Sequence, residues 1–144
     1  MDIGTGGGFP GIPLKILAPD LDVTLLDSVG KKTKACEHFI RALGLSGIRA
    51  IHGRAEEIAK QNGYRKQFDV VVSRATAYLP SILSWAEPFL KERGMLVLYK
   101  SPSPEEMADG APTLRKLRLH LARTHEYVLA DQTRKLLIYE RDRT

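Results

Sequence analysis

Apolar positions along the chain fall into short continuous runs and helical-period stretches that alternate from the first residue. Met1-Asp2-Ile3 reads as the end of a strand, Gly11 to Ala18 as a helix, and Val23-Thr24-Leu25-Leu26 as a second strand ending at Asp27. Lys31 to Leu43 sets Cys36, Phe39, Ile40 and Leu43 at helical spacing and stops at Gly44, which predicts an amphipathic helix. Ile48 to His52 is a third strand, and Phe68 to Ser73 a fourth, so continuously apolar that burial on both faces is expected. Leu79, Ile82, Leu83, Ala86 and Leu90 mark another helix, followed by Gly94 and a fifth strand from Met95 to Tyr99. Ser103-Pro104-Glu105-Glu106 carries the N-cap, first-turn proline and third-position carboxylate of a helix start, although Gly110 and Pro112 interrupt the helical pattern soon after. The last segment differs in kind. Leu117, Leu119 and Leu121 alternate, and Tyr127 to Leu129 and Lys135 to Tyr139 read as strands joined by the polar stretch Ala130 to Thr133. Strands so close leave no room for a crossover helix and should pair antiparallel. The pattern predicts one α/β domain over residues 1–144, with a mostly parallel sheet closed by a C-terminal antiparallel hairpin.

The turn between the first strand and first helix, Gly4-Thr5-Gly6-Gly7-Gly8-Phe9, is glycine-rich where backbone N–H groups and a helix N-terminus can approach a ligand with no Cβ in the way. The dinucleotide fingerprint requires a third glycine where this chain has Phe9. The run G-x-G-x-G suits instead a cofactor with no pyrophosphate, its loop wrapped around an amino-acid tail, and S-adenosyl-L-methionine is such a cofactor. About 20 residues on, Asp27 ends the second strand, where a carboxylate accepts hydrogen bonds from ribose hydroxyls in nucleotide-binding α/β folds. The bland alternative is an ordinary tight turn and a solvated strand end. With this cofactor, the hairpin-closed parallel sheet is the Rossmann-like plan of class I methyltransferases.

Composition narrows the picture. A chain 43% hydrophobic and 27% charged fits a globular domain with a real core. One cysteine excludes an internal disulfide framework and fits a reducing compartment. No apolar stretch reaches the length of a membrane span, and a signal peptide is not evident, so a cytoplasmic location is expected. Residues 111–144 carry eight Lys/Arg against four Asp/Glu, which places +4 of the net +5 in the last quarter and points to a polyanionic partner.

Several strings together resemble one family along nearly the whole chain: Asp2 to Pro13, then Leu25-Leu26-Asp27-Ser28 with Lys31-Lys32, Arg54-Ala55-Glu56, and Val72-Ser73-Arg74-Ala75. They are similar to the bacterial small-subunit (16S) ribosomal RNA guanine-N7 methyltransferases, the RsmG or glucose-inhibited division protein B family. The continuation of G-x-G-x-G into Phe9-Pro10-Gly11-Ile12-Pro13 is the specific part. The resemblance implies cofactor contacts at Gly4, Gly6, Gly8 and Phe9, a ribose carboxylate at Asp27, an adenine-flanking pair at Ala55 and Glu56, and Arg74 at the mouth shared by cofactor and substrate. Lys100 and Arg134 match further basic positions and are expected, with Arg74, to position substrate RNA. The implied partner is 16S rRNA or the small ribosomal subunit, met by a monomer. Family members usually begin with a helical segment that this chain does not show before its first strand, and Ser101 stands where glycine is common.

Guanine N7 carries a free lone pair, so no general base is required and no catalytic residue is assigned. The Asn-Pro-Pro-aromatic string of exocyclic-amine methylation is missing, since Ser73-Arg74-Ala75-Thr76 stands there. Cys36 falls on the apolar side of a helix and reads as core, not nucleophile. His38, His52, His120 and His125 lack metal-ligand spacing with cysteine, so no metal is assigned. Trp85 and Tyr99 read as core or rim packing. Two other classes remain: a cofactor- or RNA-binding fragment without activity, and an NAD-linked oxidoreductase, against which Phe9 argues.

Overall fold

The computed structural model describes residues 1–74 and 77–143; Ala75 and Thr76, which end two of the strings above, lie outside the described residues. The seven strands are β1 (Asp2–Ile3), β2 (Val23–Asp27), β3 (Ile48–His52), β4 (Phe68–Ser73), β5 (Leu90–Tyr99), β6 (Leu119–Leu129) and β7 (Gln132–Arg141). The helices are α1 (Gly11–Leu17), α2 (Gly30–Ala42), α3 (Ala55–Ile58), α4 (Leu79–Ala86) and α5 (Pro104–Leu117). The sheet order is β3-β2-β1-β4-β5-β7-β6, with β1 to β5 parallel and β7 antiparallel to both β5 and β6. This is the expected parallel sheet with its C-terminal hairpin.

Two apolar clusters lie on opposite sides of the sheet because alternate strand residues face opposite ways. Leu26 joins Val71, Leu96, Leu98, Leu137 and Tyr139 under α3, α4 and α5. Its neighbour Leu25 joins Val23 and Ile48 under Ile12 of α1 and Cys36 of α2. β2 is therefore buried along its whole length. The chain leaves β1 toward one side of the sheet and β4 toward the other, so the carboxyl ends of these neighbours form a switch point, the usual ligand crevice of open α/β sheets.

Several expectations need correction. Leu90 does not belong to α4, which stops at Ala86; Glu87–Phe89 forms one 3₁₀ turn, and Leu90 opens β5. Pro88 supplies the reason, having no N–H to continue the helix. β5 runs through Gly94, where a Cβ would stand 3.0–3.2 Å from the carbonyl oxygens of Phe68, Lys91 and Asp69, beside a register shift against β4. β4 is buried only in its second half, Val71 to Ser73; Asp69 and Val70 are exposed. The two-residue β1 pairs in register with β4 only at Asp2–Val72, and α1 packs on β2 while α2 packs on β2 and β3. α2 buries Thr33 and Cys36 but leaves Phe39 and Leu43 exposed, because β3 beneath it is the sheet edge and no further strand covers that flank. α5 passes through both Gly110 and Pro112 and takes in Leu117. Gly110 lets α5 close on α4, since a Cβ there would meet Leu79 Cδ2 at 2.7 Å. The hairpin strands are longer than expected, joined by only Ala130 and Asp131, both at positive φ. No helix among the described residues is long and apolar enough to cross a membrane.

Candidate functional site

Asp2 organises the glycine turn from below. Its Oδ2 accepts from Thr5 Oγ1 at 2.8 Å and from the Gly11 N–H at 2.9 Å, which pins both ends of the loop to β1. The Gly4 and Thr5 N–H groups donate to the Leu26 carbonyl, and those of Gly8 and Phe9 to the Thr5 carbonyl. Gly4, Gly6 and Gly8 have φ of +68°, +57° and +96°, conformations that L side chains rarely adopt. A Cβ at Gly4 or Gly6 would meet nothing within 4 Å, whereas one at Gly8 would strike Ile12. Gly4 and Gly6 thus border open space that a ligand can fill, and Gly8 is dictated by packing against α1.

Asp27 joins this loop to β2. Its Oδ2 accepts from the Gly6 N–H and its Oδ1 from the Val29 N–H, each at 2.9 Å. The carboxylate is buried and each oxygen keeps a further lone pair for a hydroxyl donor. Cys36 lies under the loop, where its Sγ is 3.3 Å from the Gly6 carbonyl oxygen. Burial pushes the thiol pKa up, as befits a packing residue.

A cavity of about 260 Å³ opens beside Gly4, Asp27, Ser28, Ala55, Glu56 and Trp85. It brings together the ends of β1, β2 and β3. Ala55 is buried and Glu56 exposed at the start of α3. Trp85 packs partly against the main core while lining this cavity, a role that its helical spacing alone did not reveal. Gly6, Gly8, Phe9 and Arg74 are not among the residues lining this cavity; Phe9 is half exposed, with the Arg74 guanidinium carbon 5.7 Å from its ring centroid. Ser73 Oγ donates to the Ile3 carbonyl at 2.8 Å and ties the end of β4 to β1 just before Arg74.

Lys100 is not turned to solvent. Its Nζ is 2.7 Å from Glu106 Oε1 and donates to the Ala77 carbonyl at 3.1 Å. Arg134 is exposed, and within the described residues its guanidinium hydrogen-bonds only to its near neighbour Gln132. It sits on the same end of the sheet as the cavity, since β7 begins beside the end of β5 and the Lys100 N–H donates to the Lys135 carbonyl. Tyr127 pairs with Arg134 across the hairpin, and the His125 and Tyr127 rings stack with centroids 6.4 Å apart.

Asp2, like Trp85, is a site residue that sequence reasoning missed. Burial raises its pKa to about 7, against the lowering effect of the Thr5 and Gly11 hydrogen bonds. Its Oδ1 is buried without a partner among the described residues. The available signal was its place, the acid immediately before the first strand residue preceding the glycines. A larger open concavity of about 1170 Å³ lies at the opposite, amino-terminal end of the parallel strands, lined by residues that include Lys66, Arg93, Arg118 and Glu140. Its charges are mixed and it touches none of the loop residues above. Among the described residues no group of three or more His, Cys, Asp or Glu side chains is placed to hold a metal ion.

Known proteins resemble the chain in sequence and in fold. The chain is similar to ribosomal RNA small subunit methyltransferase G of Clostridium novyi (strain NT), 48% identical over 106 residues, 74% of this chain and 44% of that protein. The protein of the same name from Lactobacillus helveticus (strain DPC 4571) is 38% identical over 133 residues, 92% of this chain and 55% of its own length. The chain therefore spans about half the length of the curated relatives it matches. Among solved structures, a ribosomal protein L11 methylase from Lactobacillus delbrueckii subsp. bulgaricus superposes with TM-score 0.76 at 17% identity, over 99% of this chain and 68% of that one. An S-adenosylmethionine-dependent methyltransferase, SibL, superposes with TM-score 0.70 at 16% identity, over 99% and 50%. These two share the fold, that of class I methyltransferases. Residues 1–136 match the family model described as rRNA small subunit methyltransferase G, and the chain belongs to that family.

Proposed function

We propose that the chain is the catalytic domain, residues 1–144, of an S-adenosyl-L-methionine-dependent methyltransferase that modifies N7 of a guanine in small-subunit (16S) rRNA. The observation that carries this reading is the cavity at the carboxyl ends of β1, β2 and β3, lined by the positive-φ Gly4 together with Asp27, Ala55, Glu56 and Trp85. The residues fit the cofactor. Gly4 and Gly6 leave a cradle that a side chain would fill, and the unpartnered buried oxygen of Asp2 lies under the loop. In the proposed complex Asp27 accepts from ribose hydroxyls, Ala55 and Glu56 flank the adenine, and Gly4, Gly6, Gly8 and Phe9 contact the remainder. When bound, the cofactor supplies a methyl group already activated on a sulfonium.

Guanine N7 attacks with its own lone pair, so no side chain must remove a proton. What the chain contributes is alignment of two bound reactants, which in well-oriented intramolecular models is worth roughly 7–11 kcal/mol. In the proposed complex Arg74 donates to the guanine O6 edge and leaves N7 free. Arg134 and the stacked His125–Tyr127 pair offer charge and a ring surface to RNA beyond the mouth. The proposed setting is a cytoplasmic monomer acting on rRNA or the small subunit.

Trp85 is the only tryptophan, so its fluorescence reports on the cavity directly. Titration with S-adenosylhomocysteine should change it saturably, and labelled methyl should pass from the cofactor to small-subunit RNA or subunits. Binding without transfer would support a binding-only role instead. Tighter binding of NAD than of S-adenosylhomocysteine would overturn both.

A further inference from the structure

Lys100 and Glu106 form the most enclosed ion pair among the described residues, their side chains 14% and 11% exposed. Lys100 follows β5, and Glu106 lies in the first turn of α5, where Ser103 caps the helix and the helix dipole favours a carboxylate. Both reach back to the connection between β4 and α4. Lys100 Nζ donates to the Ala77 carbonyl, and Glu106 Oε1 accepts from the Leu79 N–H at 2.9 Å. Tyr78, between them, donates its hydroxyl to Asp109, one turn further along α5. Ser73 is fixed on the other side by its bond to the Ile3 carbonyl. Only residues 74 to 76 separate the two anchored points, and Arg74, at the head of that short span, stands over Phe9.

A buried ion pair gains little net stability over an apolar pair of the same shape, so its value here is geometric. We propose that Glu106, acting through Lys100 and the Leu79 amide, is a positioning residue that sets where Arg74 stands at the mouth and so governs methyl transfer to the base. This rests on the functional reading above. The clamp leaves the cavity at Gly4, Asp27 and Glu56 untouched, so cofactor affinity should not follow it.

Glu106→Ala removes the acceptor of both bonds. The expected result is S-adenosylhomocysteine binding within about threefold of the parent, a tenfold or greater loss of hydrogen-exchange protection at the Leu79 amide, and kcat on small-subunit RNA reduced at least tenfold. KM for that RNA should change less than about threefold, and Glu106→Gln, which keeps an acceptor for the Leu79 N–H, should recover part of kcat. If Glu106→Ala does not fold, the double variant Lys100→Met/Glu106→Gln decides, because it strands no charge while freeing the Ala77 carbonyl; it should show the same split. Unchanged kcat, or loss of cofactor affinity in proportion to kcat, overturns the proposal. Should the parent transfer no methyl, the functional reading fails by itself, and unchanged Leu79 exchange in Glu106→Ala still overturns the clamp.

Discussion

Gly6→Ala separates what the glycine loop does for the fold from what it does for a ligand. Gly6 sits at φ +57° with nothing within 4 Å of where a Cβ would stand, so alanine meets no protein atom and incurs only backbone strain. A left-handed alanine costs about 1–2 kcal/mol. With a urea dependence of about 2 kcal/mol per molar, the unfolding midpoint should fall by roughly 0.5–1 M. Gly44 provides the control: it has φ +62°, equally open surroundings and a place at the end of α2, away from the cavity. Gly44→Ala should lose the same stability and bind S-adenosylhomocysteine like the parent. In Gly6→Ala the methyl enters the space assigned to the ligand, and the dissociation constant measured by calorimetry should rise at least tenfold, about 1.4 kcal/mol. Equal affinities for the two variants would refute the placement of the ligand against this loop.

Asp27→Ala should weaken adenosine-containing ligands and also cost about 2–4 kcal/mol in urea unfolding, since the Gly6 and Val29 N–H groups lose their shared acceptor. Unchanged stability would mean those bonds do not hold the loop. Asp2 binds a proton in the folded state below about pH 7 that the unfolded chain releases near 3.8, so stability should fall as pH rises through that window, on the order of 4 kcal/mol, and Asp2→Asn should abolish the slope. A urea midpoint that rises from pH 4 to 6 would contradict this. Arg134→Ala should weaken RNA binding and reduce the slope of log affinity against log salt by about 1 while leaving cofactor affinity unchanged; equal losses for both ligands would remove Arg134 from the RNA surface.

The glycine turn was legible in the sequence because backbone constraint is written directly in residue identity: Gly4 and Gly6 are needed for conformation and Gly8 for conformation and packing. The alternation of strands and helices along the chain and the closing hairpin were legible from periodicity and spacing. Leu90 fits the α4 spacing as well as it fits a strand, and only Pro88 marks the break. The tight Ala130–Asp131 turn lacks the Asn-Gly signal that usually betrays one. Val70 and Phe39 depended on what lies across from them, which apolar patterning does not state. Trp85 in the cavity and Glu106 in the clamp were likewise hidden, because each acts through partners distant in sequence, and Asp2 because its burial under the loop is set by tertiary packing.

The central claim is that the cavity at the carboxyl ends of β1, β2 and β3 receives an adenosine-containing sulfonium cofactor. Amide chemical-shift mapping during titration with S-adenosylhomocysteine tests it most directly. Shifts concentrated at Gly4, Gly6, Gly8, Asp27, Ala55 and Glu56 are the expected result. Shifts confined to the concavity around Lys66, Arg93 and Arg118, or none with the protein folded, would contradict it.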